Sequence, residues 1–208
     1  MSSFKPAIQY GAPSNLRPEL LLHPNIPKPL HGLAPRTILG KEWWDKVRNK
    51  TVNRQGNHCA ACGVPATRAA HRRYLEAHEL YHIDYDRAFA LYNGTVALCN
   101  SCHAYIHCGR LNHLYSKGLD TEWVLAVLEH GRRLLKQSDL EPTDTQQYSY
   151  SAIRGLPLDP DVMTRLQELD REAPAWSAWR LLLGDKEYYS KFKDHEEWEE
   201  YYANIDRT

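Results

Sequence analysis

The spacing of apolar and polar positions along this chain changes from segment to segment, and it predicts helices in some and strands in others. Residues 41–54 follow Gly40 and carry Trp43, Trp44, Val47 and Val52 at spacings that give a helix one apolar face. Residues 74–85 and 87–98 are short and rich in aromatic and aliphatic side chains, which predicts two strands, with Asn93-Gly94 as a turn or bulge in the second. Residues 100–107 begin a further helix. A longer one runs from Asp120 or Thr121, either of which can cap it, to about Gln137. Trp123, Val124, Val127, Leu128, Leu134 and Leu135 form its buried stripe. Residues 161–171 read as a short helix.

Between these elements the pattern breaks down. Residues 1–36 contain Pro6, Pro13, Pro18, Pro24, Pro27, Pro29 and Pro35, which predicts an extended arm, since proline lacks a donor and blocks helix. Residues 138–160 are polar and hold Pro142, Pro157 and Pro160, which reads as a linker or draped segment. The tail from Pro174 is too aromatic for disorder, with Trp176, Trp179, Tyr188, Tyr189, Phe192, Trp198, Tyr201 and Tyr202. Its rings pack back on the module or form an interface with a protein partner or a second copy. The resulting division is an arm over 1–40, a module over 41–138, a linker over 139–160 and a helical, aromatic and acidic segment over 161–208.

Composition narrows the class. With 208 residues and 42% hydrophobic content, the chain can bury one sizeable core or two small ones. The formal net charge is zero, but it is unevenly spread: eight basic residues stand against two acidic ones over 41–73, and four against eight over 185–207. A basic half with an acidic tail suits a nucleic-acid binder, and ordinary solvated faces suit it equally. No charged start followed by an apolar run marks a secretory leader, and no apolar stretch approaches the roughly 18 residues of a membrane span. Five cysteines without such a leader predict reduced thiols, metal binding and a cytoplasmic setting rather than disulfides.

The chemistry is concentrated over 57–108. Cys59-Ala-Ala-Cys62-Gly63 and Cys99-Asn-Ser-Cys102 are two Cys-x-x-Cys pairs with 36 residues between Cys62 and Cys99. Four thiolates in two such pairs predict one tetrahedral structural Zn2+. Cys108 stands outside both pairs. The second pair runs into His103-Ala-Tyr-Ile-His107. Residues four apart share a helix face, so these two imidazoles can grip a second ion, with His78 of the preceding strand as a third ligand. Arg68, Arg72, Arg73 and Arg110 flank the site and suit phosphate by their planar forks.

This order (Cys-x-x-Cys, a strand with histidine, Val96-Ala97-Leu98-Cys99, then Cys102-His103-x-x-x-His107) resembles the HNH endonuclease family. Leu30-His31-Gly32, Pro35-Arg36-Thr37-Ile38-Leu39-Gly40 and Trp43-Trp44-Asp45 further resemble a phage- and bacteria-associated subgroup, so the likeness covers about residues 30–131. The resemblance implies an α+β fold with a small ββα-metal core around a structural zinc. It also implies hydrolysis of nucleic acid, DNA before RNA. The catalytic ion, Mg2+, Mn2+ or a second Zn2+, falls on His78, His103 and His107. Two positions depart from the family pattern. The base position directly after the first ligand is Glu79 instead of histidine, and the position of the orienting asparagine is Gly94, with Asn93 adjacent. The base is therefore Glu79 or His82, with His71 and Asp84 nearby, and Glu79 is alternatively a ligand. The same departures suit a rival reading, a degenerate HNH module that binds nucleic acid or a protein without cutting.

Overall fold

The computed structural model describes residues 15–171 and 173–205, so Pro6 and Pro13 of the expected arm lie outside the described residues. The fold is α+β. Among the described residues a four-stranded sheet, in the order β1-β2-β3-β4, accompanies seven helices. The strands are β1 (Leu75–Asp84), β2 (Phe89–Cys99), β3 (Arg180–Leu183) and β4 (Lys186–Tyr189). The helices are α1 (Pro35–Arg54), α2 (Asn100–Ile106), α3 (Cys108–Ser116), α4 (Thr121–Gln137), α5 (Asp144–Arg154), α6 (Pro160–Arg171) and α7 (His195–Ile205). None of the described helices is long and apolar enough to cross a membrane.

The chain divides into two compact units. The first takes residues up to His23, Arg48–His78 and Val96–Asp170. Its core is helical. Tyr105 and Ile106 of α2, Leu111 of α3, Val124, Val127, Leu128 and Leu135 of α4, Ile153 of α5 and Val162 of α6 are all buried. α2 packs on α4, and α3 on α5. Val124, Val127, Leu128 and Leu135 of the expected α4 stripe are buried and Trp123 and Leu134 are half-buried, while the side chain of Asp120 makes no cap bond and its backbone is left-handed, at φ 48°. α5 lies in the stretch read as linker. Its signal is local: Thr143 and Gln146 form a reciprocal capping box, and Gly155 ends the helix at φ 61°. Gln146 also donates from Nε2 to the Leu21 carbonyl at 2.6 Å. That bond pins the 3-10 helix Pro18–Leu22, whose Leu20 and Leu21 are buried against α2 and α4. Part of the proline-rich arm is thus core rather than drape.

The second unit takes Pro24–Val47, Glu79–Thr95 and the chain from Arg171. Leu30, Ala88, Ala90, Trp179 and Leu181 form its core, with Ile38, Tyr81, Ile83 and Tyr188 packed around them. The tail read as helical contributes a strand pair as well as α7. β3 runs parallel to β2, Phe89 opposite Arg180, and antiparallel to β4. The tail's rings pack inside this unit: Trp198 donates to His31 Nδ1 at 3.1 Å, and Tyr202 packs edge-on to the same imidazole. α1 bends at Gly40, whose φ of 81° and ψ of 173° are non-helical, so residues 41–54 form a helix of their own as expected.

Candidate metal centre

The cysteines come together at the junction of three local structures. In the first knuckle Gly63, at φ 74°, turns the chain so that its N–H reaches the Cys59 carbonyl at 2.8 Å. Cys59 N–H donates to Val64, and Ala60 N–H donates to Ala97 at 2.9 Å, tying this knuckle to the end of β2. Cys99 is the last residue of β2 and the N-cap of α2, and Cys102 lies in the first turn of that helix. All four side chains are buried, and their sulfurs all lie within 4.8 Å of one another. Zn–S bonds of about 2.3 Å put the sulfurs of a tetrahedron about 3.8 Å apart. The Cys62 and Cys99 sulfurs are 3.8 Å apart. The four cysteines can bind a metal, and their geometry and donor type are compatible with a structural zinc. Hydrogen bonds from Cys102, Cys59 and Cys99 pull the Cys62 thiol far below its usual range, while bonding within the cluster and burial push Cys102 up. His130 approaches from α4, its Nε2 3.3 Å from the Cys102 sulfur.

One turn further along, His78, His103 and His107 converge, with ligand atoms all within 4.8 Å of one another. His78 is 5% exposed, in the middle of β1. His103 projects from α2, and His107 occupies the joint between α2 and α3 rather than a continuous helix. The Nε2 atoms of His103 and His107 are 3.2 Å apart. Metal–nitrogen bonds of 2.0–2.1 Å give polyhedron edges of about 3.0–3.4 Å, so this spacing fits an ion.

Two residues outside the predicted set contact the histidines. Glu76 lies two positions before His78, on the same strand face. Its Oε2 bonds His103 Nδ1, which leaves His103 Nε2 directed at His107. Asn100 Nδ2 donates to Glu76 Oε1 at 3.1 Å, and Trp123 Nε1 donates to Asn100 Oδ1 at 3.0 Å. The His103 bond, acting against desolvation, holds the Glu76 carboxyl down at about 2, with help from the charges of His103 and Arg72 and the Asn100 bond. Carboxylate–histidine pairs of this kind fix the tautomer and aim of a ligand. The second residue is His23, whose Nδ1 lies 3.1 Å from His78 Nε2. Strand alternation marks Glu76 in the sequence, whereas nothing local marks His23, which precedes His78 by 55 residues.

The expected bases do not join this group. Successive strand residues face opposite ways. Glu79 accordingly turns away from the face of His78 and accepts from Tyr81 on its own face, O–O 3.1 Å. It is 9% exposed, and its Oε1 has no hydrogen-bond partner. His82 shares the parity of His78 but is exposed and lies about 13 Å further along β1. Gly94 stands inside β2 at φ 93°, and Asn93 beside it is exposed. Among the arginines, Arg72 bonds the Tyr74 hydroxyl at 2.7 Å and approaches Glu76 at 3.5 Å, so it belongs to the site's wall. Arg68, Arg73 and Arg110 are exposed. His71 packs edge-on against Trp123.

No family model, curated protein or solved structure matches the chain.

Proposed function

We propose that this protein is a metal-dependent phosphodiesterase of the HNH type acting on nucleic acid, with DNA as the first substrate to test. The observation that carries the reading is the convergence of His78, His103 and His107 beside the cysteine cluster, with Glu76 aiming His103. In this reading Cys59, Cys62, Cys99 and Cys102 hold a structural zinc. That zinc fixes the end of β2 against α2, and so sets His103 and His107 against His78. The histidines would hold a second divalent ion, which supplies positive charge against the charge developing on the phosphate. In this reading the exposed Arg68, Arg73 and Arg110 would meet backbone phosphates.

A second reading has its own observation. Glu79 is turned away and His82 is distant, so neither offers a base at the histidines. That favours a module that binds nucleic acid or a protein partner without cutting. One experiment separates the two. The zinc-replete protein and its His103→Ala and His107→Ala variants are incubated with supercoiled plasmid, single-stranded DNA and RNA. Mn2+, Mg2+, Co2+ or Zn2+ is added in turn, and binding is followed by gel shift. Metal-dependent cleavage lost in both variants supports the phosphodiesterase. Binding with no cleavage under any ion refutes it in favour of the second reading.

A further inference from the structure

We infer that α7 is held by a pH-operated latch, in which the neutral ring of His31 accepts the hydrogen bond that docks the helix and a proton on that ring releases it.

The latch lies wholly inside the second unit. α7 packs on the 3-10 helix Lys28–Leu30, and His31 ends that turn with its N–H on the Lys28 carbonyl. Trp198 of α7 donates from Nε1 to His31 Nδ1 at 3.1 Å. An indole N–H is a donor only, so Nδ1 acts as the acceptor and carries no proton. The ring also bonds the Ile26 backbone, and with Nδ1 taken that bond uses Nε2. A neutral ring thus satisfies both partners. A second proton would set a donor against a donor and leave the indole N–H of a half-buried side chain unpaired.

The surroundings give that proton nothing in return. The rings of Trp198 and Tyr202 pack on the imidazole, with centroids at 5.5 and 6.0 Å. The Lys28 ammonium stands 4.9 Å from the Trp198 ring centroid, and the Lys191 ammonium lies beside Gly32. Among the described residues no carboxylate bonds His31. Burial accordingly pushes the imidazole below its usual 6.5, the Ile26 bond opposes this, and the Lys28 charge adds to it.

His195 is the other imidazole of this docking face. Lys28 donates from Nζ to its Nε2 at 2.7 Å, and Glu199 Oε1 lies 3.5 Å from its Nδ1. A proton on His195 would lose the Lys28 bond and gain the charge of Glu199, so it exchanges one contact for another. A proton on His31 only loses. The stabilisation carried by the neutral His31 ring is therefore fully present above pH 6.5 and is lost as pH falls from there through the lower folded-state value. Within that window the fraction of open α7 rises by up to about tenfold for each pH unit.

The test follows the full chain by amide hydrogen exchange along α7 and by the Trp198 indole N–H resonance, from about pH 7.5 to about pH 5, with exchange corrected for its intrinsic pH dependence. Wild type is expected to lose α7 protection several-fold, while residues 89–95 of β2 keep theirs. His31→Asn leaves an acceptor near the place of Nδ1 that does not titrate, and it is expected to hold α7 across the range. His195→Gln is expected to respond as wild type does. Protection of α7 that does not change with pH in wild type overturns the inference, and so does an equal loss in His31→Asn. A response abolished in His195→Gln moves the sensor to that ring and overturns it as well. Loss shared equally by β2 overturns it too, because the unit as a whole would then be unfolding. In wild type alone, the His31 ring and the Trp198 indole N–H are expected to titrate together below 6.5. A ring that titrates without moving the indole refutes the latch whatever the variants do.

Discussion

Gly131 is where the helical core and the metal centre can be tested together. It lies in α4, facing the buried ring of Tyr105 in α2. A β-carbon added there would sit 2.5 Å from Tyr105 Cε2 and closer still to Cγ and Cδ2. Carbon atoms make favourable contact at about 3.5–4.0 Å, so the two helices would have to part by about 1 Å or the ring would have to leave. Overpacking of this kind costs about 1–3 kcal/mol. The helix propensity of alanine returns about 1 kcal/mol. The obstacle is a ring wedged in a core rather than the end of a flexible chain, so the upper part of the range applies. Gly131→Ala is therefore expected to lose about 2 kcal/mol, a fall in Tm of roughly 4–8 °C for a chain of this size. The displacement would be felt in both candidate ligand clusters, because Tyr105 shares α2 with Cys102 and His103. The assay is thermal unfolding by circular dichroism alongside zinc release to a chromogenic chelator. A Tm at or above wild type, the outcome propensity alone dictates, would refute the close-packing argument. As a control, Gly131→Ala in a Tyr105→Ala background should gain stability, since the obstacle is gone.

Three further outcomes are expected. Cys62→Ser should lose zinc by elemental analysis and lower stability by several kcal/mol, because structural zinc binding is coupled to folding. Glu76→Gln should weaken uptake of the second ion by roughly 10–100-fold in a calorimetric titration, since the histidine it aims would lose its charged partner. Wild type has a pH signature that this variant lacks: the Glu76 carboxyl is depressed from 4.5 to about 2. Its stabilisation is therefore fully present above pH 4.5 and is lost as pH falls toward 2. At neutral pH it is worth no more than about 2–3 kcal/mol after screening of a partly exposed pair, and urea denaturation of wild type against variant across pH 3–7 reads it. Glu79→Gln should leave any plasmid nicking unchanged and raise Tm, because it removes a buried carboxyl group whose Oε1 is unpartnered. A large loss of nicking in that variant would restore Glu79 to the reaction.

Much of the local structure was legible in the chain because its signals are short-range. Apolar spacing marked α4 and the helix after Gly40, aromatic runs marked β1 and β2, and two Cys-x-x-Cys pairs marked one tetrahedral cluster. The helix α5 was hidden by the prolines around it, although Thr143 and Gln146 carried a capping box that could have been read. The strand pair β3–β4 was hidden because four-residue strands have too little alternation to stand out in an aromatic tail.

By itself the sequence determined which atoms could serve as ligands, since residue type and spacing decide donor chemistry and the span of a knuckle. It also determined the alternation of β1, and with it that Glu76 and His78 share a face while Glu79 looks the other way. Only the tertiary structure decided which of these side chains meet. The 3-10 helix Pro18–Leu22 packs its leucines against α2 and α4 and so brings His23 to His78 across 55 residues. The physical reason is that such contacts close through core packing, which depends on the shapes of distant side chains and leaves no periodicity to read.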